Sequence, residues 1–379
     1  MEHLDGALTR PVRRHTARGM EHAAVSAGHI AFERLGSLGL VTLTRPDALN
    51  ALTHDMVLAL AAQLDAWATD DRVATVAITG QGRAFSAGGD IRAIYDRGIA
   101  GEPFDRFFAD EYALNIQIKR YPKPYVALVD GIAMGGGVGV AYHASHVVVG
   151  ERARFAMPEC GIGFFPDVGG TALLAPLGAP GRYLGLTGAR IGPAAQVAAG
   201  LANAHVPRDR HGELIADLAE GAPADEAVGG RHQEPEGETI AHPIVLTAFA
   251  RNSPLEVLAT LNDERTDESG AVAERIRSAV AALGAKSPTS LRVAARQLAA
   301  RPEGTFERTM GIEARIAHRM LRGRDFYEGI RTAIIDKGGV PQWSPETLDE
   351  VGDEAVAEYF QPVESGPLAA ISALADQPA

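Results

Sequence analysis

The sequence predicts an α/β protein, and three observations carry that prediction. Short apolar runs recur at 73–79, 124–129 and 147–149, bounded by Gly or Pro. Segments of helical periodicity separate them, such as Met56, Leu60 and Leu64 on one face. The 379 residues are 46% hydrophobic and 22% charged, the balance of a globular chain long enough to bury a sizeable core. Strands alternating with helices in this way build a sheet covered by helices.

Taken in order, the first 27 residues are polar and Arg-rich, lack the apolar stretch of a secretory signal, and read as a disordered or extended segment. Residues 29–44 alternate around Gly36 and Gly39 and predict a two-stranded hairpin. Thr53 is placed to cap a helix through Trp67. The buried strand at 73–79 ends at Gly80, and the loop GQGRAFSAGGD follows. One helix begins near Asp90 and another covers 104–119. The strand at 124–129 leads to Gly135-Gly136-Gly137-Val138-Gly139 and a helix reaching His143. Residues 206–240 are rich in Gly, Pro, Glu and Asp and read as a polar insertion or linker. From Pro243 the pattern is helical, with Leu291, Ala294 and Leu298 on one face. The organisation expected is therefore a terminal segment (1–27), a core carrying the site (28–205), the insertion (206–240) and a helical C-terminal region (241–379).

Bulk properties narrow the function. A net charge of −12 argues against nucleic acid or an anionic membrane as partner, while leaving room for a local basic pocket. No apolar run approaches the roughly 20 residues of a spanning helix. Cys160 is the only cysteine, which excludes a disulfide framework and permits a reducing compartment: the cytoplasm, or the mitochondrial matrix in a eukaryote. His143 and His146 have no third partner at metal-site spacing, so no metal is expected.

Three constellations can carry chemistry. In 85–90, small residues between a strand and a helix allow backbone N–H groups to approach a ligand, though a tight turn with Asp90 as helix cap explains them too. The glycine run 135–139 opens a helix at a cost in helix stability, which close approach of a ligand or of another helix would offset. It lacks the Lys-Ser or Lys-Thr of a P-loop. One N–H from each segment, aimed at one oxygen, would make an oxyanion hole. Finally, Glu159 and Asp167 lie among prolines and apolar residues, a setting that raises carboxyl pKa values and suits acid–base work. Capping or turn roles remain open for both.

Together these segments resemble the crotonase, or enoyl-CoA hydratase/isomerase, superfamily. The resemblance rests on 45–52 (RPDALNAL), 84–91 (AFSAGGDI) and 130–137 (DGIAMGGG). It implies a crotonase-like spiral of β-β-α units with a helical C-terminal region, a possible homo-oligomer, and an acyl-CoA substrate that brings its own coenzyme A, so no separate cofactor. It also implies an oxyanion hole formed by the N–H groups of Ala87 and Gly136. Within the superfamily, 107–115, 134–139, 155–159, 163–170, 287–291 and 325–337 with Trp343 are most similar to the 3-hydroxyisobutyryl-CoA hydrolase branch. That branch implies hydrolysis of a short-chain 3-hydroxyacyl-CoA thioester, as in valine degradation. Glu159 and Asp167 are then the catalytic acids, and Glu111, paired with Asp110, contacts the substrate beside them and Gly136. A hydratase of this family uses two glutamates; here the first position is Gly139 and the second matches Glu159. Asp47 stands where family members often carry a lysine near the coenzyme, which puts phosphate contacts there in question. The alternatives are a hydratase or isomerase with Glu159 as sole acid, and a non-catalytic, RNA-binding member.

Overall fold

Strand pairing begins ahead of the expected hairpin. The computed structural model describes residues 23–102, 104–267, 270–299 and 304–377. In it β1 (Ala23–Ala27), β2 (Ile30–Leu35) and β3 (Leu38–Leu43) form an antiparallel meander. The extended-or-disordered expectation for 1–27 is corrected at its end, because Ala23–Ala27 are laddered onto β2; its first 22 residues lie outside the described residues.

After β3 and α1 (His54–Ala68) the chain alternates between two sheets. The strands are β4 (Thr75–Gly80), β5 (Ala84–Ser86), β6 (Tyr125–Val129), β7 (Ile132–Met134), β8 (His146–Val149), β9 (Arg154–Ala156) and β10 (Ala204–His205). The larger sheet has the order β1-β2-β3-β4-β6-β8-β10, parallel from β3 onward, and the smaller is the parallel set β5-β7-β9. Each long strand is followed by a short one in the other sheet and then by helix: α2 (Ile91–Ile99) and α3 (Asp105–Lys119) after β5, α4 (Gly136–Ala141) after β7. This is the expected spiral of β-β-α units.

The local chemistry accounts for these elements. Every residue of β6 is buried, as in a parallel strand covered on both faces. Thr53 Oγ1 accepts from the Met56 N–H at 3.3 Å and starts α1, whose Met56, Val57, Leu60, Leu64 and Trp67 face the core.

Beyond β9 come α5 (Gly170–Leu174), α6 (Ala179–Thr187) and α7 (Pro193–Ala198), which leads into β10. The stretch expected to be a linker contains α8 (His211–Ala219) and α9 (Ala224–Gly229). Leu214, Leu218, Ala224, Ala227 and Val228 bury themselves against Leu38, Leu40 and Val126 on the large sheet. An apolar stripe at helical spacing thus outweighs the Gly, Pro and acidic composition; within that stretch the longest run without helix or strand is 230–240.

The C-terminal region is helical, as expected: α10 (Pro243–Ala248), α11 (Pro254–Asp267), α12 (Gly270–Gly284), α13 (Pro288–Ala299), α14 (Phe306–Met320) and α15 (Arg324–Ile330). Helices α10–α13 share a core with α6, built on Phe249, Val257, Leu261, Ile276 and Leu291. Helix α14 packs on α3, and α15 on the turn that follows β9. Among the described residues no helix is long and apolar enough to cross a membrane.

Candidate active site

A pocket of about 520 Å³ opens where the two glycine segments, α3, the turn after β9 and α15 meet. Its floor is set by a brace at 45–52. Asn50, fully buried, donates its amide to the carbonyls of Gln81 and Ala84, both at 2.9 Å, and accepts from the Arg45 N–H at 2.8 Å. Its own carbonyl accepts from Ser86 Oγ at 2.9 Å. The brace fixes which N–H groups stay free. The Ala87 N–H donates to the Leu49 carbonyl at 3.0 Å, so the expected donor is already engaged and points away from that role. Among the described residues the N–H of Gly89 has no hydrogen-bond partner, and that of Gly136, first residue of α4, has none within its helix. A Cβ built on Gly136 would lie 3.3 Å from Gly89 N, so these two groups flank one point. Of Ala87 and Gly89, it is Gly89 whose N–H is left without a partner beside Gly136. The same Cβ would collide with Glu111 Oε1, so a side chain at 136 would displace that carboxylate from its place beside the glycines.

Three acids converge on this point. Glu159 opens a 3-10 turn (Glu159–Ile162) after β9 and is 6% exposed. Its Oε2 has no partner among the described residues. Burial, reinforced by the charge of Asp167, lifts its pKa well above the ordinary range. Glu111, on α3 and 2% exposed, has an unpartnered Oε1 and is raised likewise by burial and then by Asp167. Asp167 Oδ2 accepts from the Tyr112 hydroxyl at 3.0 Å; burial first, then the charge of Glu313, pushes its pKa up to about 8. A pairing of Glu111 with Asp110 does not occur. Asp110 turns to the opposite side of the helix, where His54 Nε2 and Arg106 Nε each lie at 2.8 Å.

Aromatic rings wall the pocket: Phe107 and Phe108 from α3, Phe164, and Phe326 from α15. Phe164 joins the last two, with centroids 5.5 Å from Phe108 and 5.2 Å from Phe326. The cationic residues lining it are Arg190 and Lys286, and the positive charge of Lys286 opposes the rise at Glu159. Asp47 is exposed on a separate turn at Pro46–Ala48. His143 and His146 do not act together: His143 Nε2 donates to the Val168 carbonyl at 2.7 Å, whereas His146 Nε2 meets Asp225 at 2.9 Å. At Gly139 a Cβ would lie 2.7 Å from Asn115 Nδ2 and 2.9 Å from Val168 Cβ, so the position of a hydratase's first glutamate is filled by neighbours.

Comparison with known proteins gives the family. Residues 38–360 match the family model described as enoyl-CoA hydratase/isomerase. The chain belongs to the enoyl-CoA hydratase/isomerase family. It is 38% identical over 353 residues to the mitochondrial 3-hydroxyisobutyryl-CoA hydrolase of Xenopus tropicalis, covering 90% of this chain and 91% of that one. The human protein of the same name is 36% identical over 358 residues, with 90% and 91% covered. Among solved structures, a carnitinyl-CoA dehydratase from Mycobacterium thermoresistibile superposes with a TM-score of 0.80 at 38% identity, over 89% of this chain and 98% of that one. An enoyl-CoA hydratase from Rhodobacter sphaeroides 2.4.1 gives 0.79 at 38%, with the same coverage. Members of the family at similar identity thus carry names for different reactions.

Of the residues expected at the site, Glu111, Gly136, Glu159 and Asp167 line the pocket; Glu111 Oε1 and Glu159 Oε2 have no partner among the described residues, Asp167 is held by Tyr112, and Ala87 lines the pocket with its N–H occupied. Sequence reasoning missed Gly89, Tyr112, Arg190 and Lys286. Gly89 carries a signal, being the residue just before the capping Asp90; the others do not.

Proposed function

We propose that this chain hydrolyses a short-chain 3-hydroxyacyl-CoA thioester, 3-hydroxyisobutyryl-CoA first among candidates, as a step in valine degradation. The observation that carries the proposal is the acid set. One glutamate of the hydratase pair, Glu159, is present; the place of the other is closed by Asn115 and Val168; and a different buried acid, Asp167, faces the same point.

The thioester carbonyl would accept from the N–H groups of Gly89 and Gly136, which meet the charge that develops on its oxygen. Glu159, once ionised, a form that the positive charge of Lys286 favours against burial, takes a proton from water as the hydroxyl adds to the carbonyl carbon, or adds to that carbon itself to give an anhydride that water then opens. The C–S bond breaks, and the thiolate takes the proton of Asp167, which burial keeps protonated near neutrality. Water and thioester become carboxylic acid and thiol, with the coenzyme arriving and leaving as part of the substrate. Glu111 Oε1, unpartnered beside Gly136, accepts from the 3-hydroxyl; an acyl group without that hydroxyl would leave a buried acceptor unpaired. Arg190 and Lys286 supply positive charge toward the anionic coenzyme.

The two superposable structures, a carnitinyl-CoA dehydratase and an enoyl-CoA hydratase, favour a second reading, hydration or dehydration of an acyl-CoA with Glu159 as sole acid. Free thiol released from 3-hydroxyisobutyryl-CoA, set against hydration of crotonyl-CoA, separates the two. Glu159→Gln is expected to lower thiol release by on the order of 10³-fold while CoA-ester binding, followed by calorimetry, survives. Near-normal turnover in that variant would remove Glu159 from the mechanism.

A further inference from the structure

Asp167 sits on a turn that its own sequence disfavours. Val168 has φ 49° and Gly169 φ 82°, and the Gly170 N–H closes back on the Asp167 carbonyl at 2.7 Å. Two successive positive-φ residues suit Gly and Asn, and a β-branched residue there is strained. Side chains from distant elements hold the turn in place. Glu313 of α14 accepts from the Gly169 N–H at 2.7 Å through Oε2, and from the Thr171 N–H at 3.0 Å and hydroxyl at 2.7 Å through Oε1. Gln297 of α13 donates to the Pro166 carbonyl at 2.8 Å and to Thr171 Oγ1 at 2.6 Å. His143, just beyond α4, holds the Val168 carbonyl from the other side.

Glu313 is 0% exposed and does not line the pocket, yet every partner it has is a donor. Such a set favours the carboxylate form. A charge buried this deeply is costly, and a turn that needed only an anchor would be served by a neutral acceptor.

We propose that Glu313 is a positioning residue for the hydrolysis: its carboxylate holds the 166–171 turn so that Asp167 faces the pocket, and its negative charge keeps on Asp167 the proton that the leaving thiolate takes. The inference rests on the thioester-hydrolase reading above. The charge acts in the required direction, since after burial itself Glu313 is the largest influence raising Asp167. Glu313 is itself lifted by burial to about 7, against its hydrogen bonds from Thr171 and Gly169. The other titratable groups around Asp167 are Tyr112 and Glu111 from α3 and Glu159 from the turn after β9, with Lys286 acting on Glu159. His143 stays neutral near pH 7 because burial depresses its pKa to about 4.

The test measures thiol release from 3-hydroxyisobutyryl-CoA against pH for the wild type, Glu313→Gln, Thr171→Val and Thr171→Ser. Glu313→Gln is expected to lower kcat by on the order of 10²-fold, the contribution of a well-placed general acid, with KM unchanged. Its alkaline limb should move to lower pH, because removing the charge lowers the pKa of Asp167. Thr171→Val should lower kcat several-fold, and Thr171→Ser, which keeps the hydroxyl, should restore it. A Glu313→Gln enzyme whose alkaline limb stays at the wild-type pH overturns the inference whatever its kcat, since loss of packing alone would not move that limb. If this variant fails to fold, an unchanged kcat in Thr171→Val overturns it instead. A wild type that releases no thiol defeats the hydrolase reading, a distinct outcome.

Discussion

Gly136 and Gly139 are three residues apart on one short helix and are glycines for different reasons. At 136 the constraint is the reaction site: a Cβ would collide with Glu111 Oε1 and crowd Gly89 N at 3.3 Å. If Gly89 and Gly136 are the oxyanion donors proposed above, Gly136→Ala should push them apart and lower kcat by about 10²–10³-fold, the loss typical of one such donor. Steady-state thiol release checks this, and a fall confined to KM would argue against the donor role. At 139 the constraint is packing, with Asn115 Nδ2 and Val168 Cβ less than a van der Waals contact from any Cβ. Gly139→Glu is then expected to give no hydratase. Crotonyl-CoA hydration should stay at background, and overpacking should cost about 1–3 kcal/mol of stability, visible as a lower Tm. The residue scale also marks where the sequence was readable. Glu159 and Asp167 announced themselves as acids in apolar surroundings, and Glu111 only through the family resemblance. Ala87 and Gly89 did not, because the choice between them depends on the Leu49 carbonyl, which takes the Ala87 N–H across a fold contact that no spacing in 84–91 reveals.

Among elements, the 45–52 segment shows how a motif can matter without touching substrate. Its Arg45-Pro46-Asp47-Ala48-Leu49-Asn50 run forms a turn in which Leu49 and Asn50 both have positive φ, 52° and 55°. Asn tolerates that geometry, and its side chain ties the turn to Gln81, Ala84 and Arg45. Asn50→Ala should cost about 2–5 kcal/mol by stranding buried partners, and should lower kcat because the loop that presents the Gly89 N–H loses its tether. Chemical denaturation and kinetics on the same preparation measure both, and a stable variant with full kcat would show the brace to be dispensable. Strands and helices with clear periodicity, such as β6 and α1, were legible from local pattern. Helices α8 and α9 were obscured by their flanking Gly, Pro and acidic residues, although Leu214 and Leu218 keep the four-residue spacing that buries them. The clamp on Asp167 was not legible at all. Glu313 lies on α14, and only the packing of α14 against α3 and α5 brings it to the turn at 166–171.

For the whole molecule, gathering so many acids in one interior has a consequence for stability. Burial raises Glu111 and Glu159 well above their ordinary range, Asp167 to about 8 and Glu313 to about 7. A carboxyl whose folded pKa exceeds its unfolded value keeps its proton in the folded state after the unfolded chain has released it. Its stabilisation is complete below the unfolded pKa, declines as pH rises above that value, and is lost by the folded one. Asp167 and Glu313 therefore make the fold less stable from about pH 4 up to about 8, and Glu111 and Glu159 act in the same direction. His143 works in the opposite sense at the acid end: with its pKa depressed to about 4, the fold loses stability as pH falls below the ordinary histidine range toward that value. Glu307, held near 2 by Arg120, adds to the acid loss. The Tm should accordingly peak in mildly acidic solution and fall from there to about pH 8. Glu111→Gln tests the origin of that slope, because it replaces a buried acid whose Oε1 lacks a partner with a group that cannot ionise. The variant should melt higher than the wild type at the alkaline end, with a shallower decline, while thiol release from the 3-hydroxyacyl substrate drops. A wild-type Tm that is flat or rising across that range would mean that these carboxyls titrate like exposed ones, and the pocket would then lack the protonated Asp167 on which thiolate release depends.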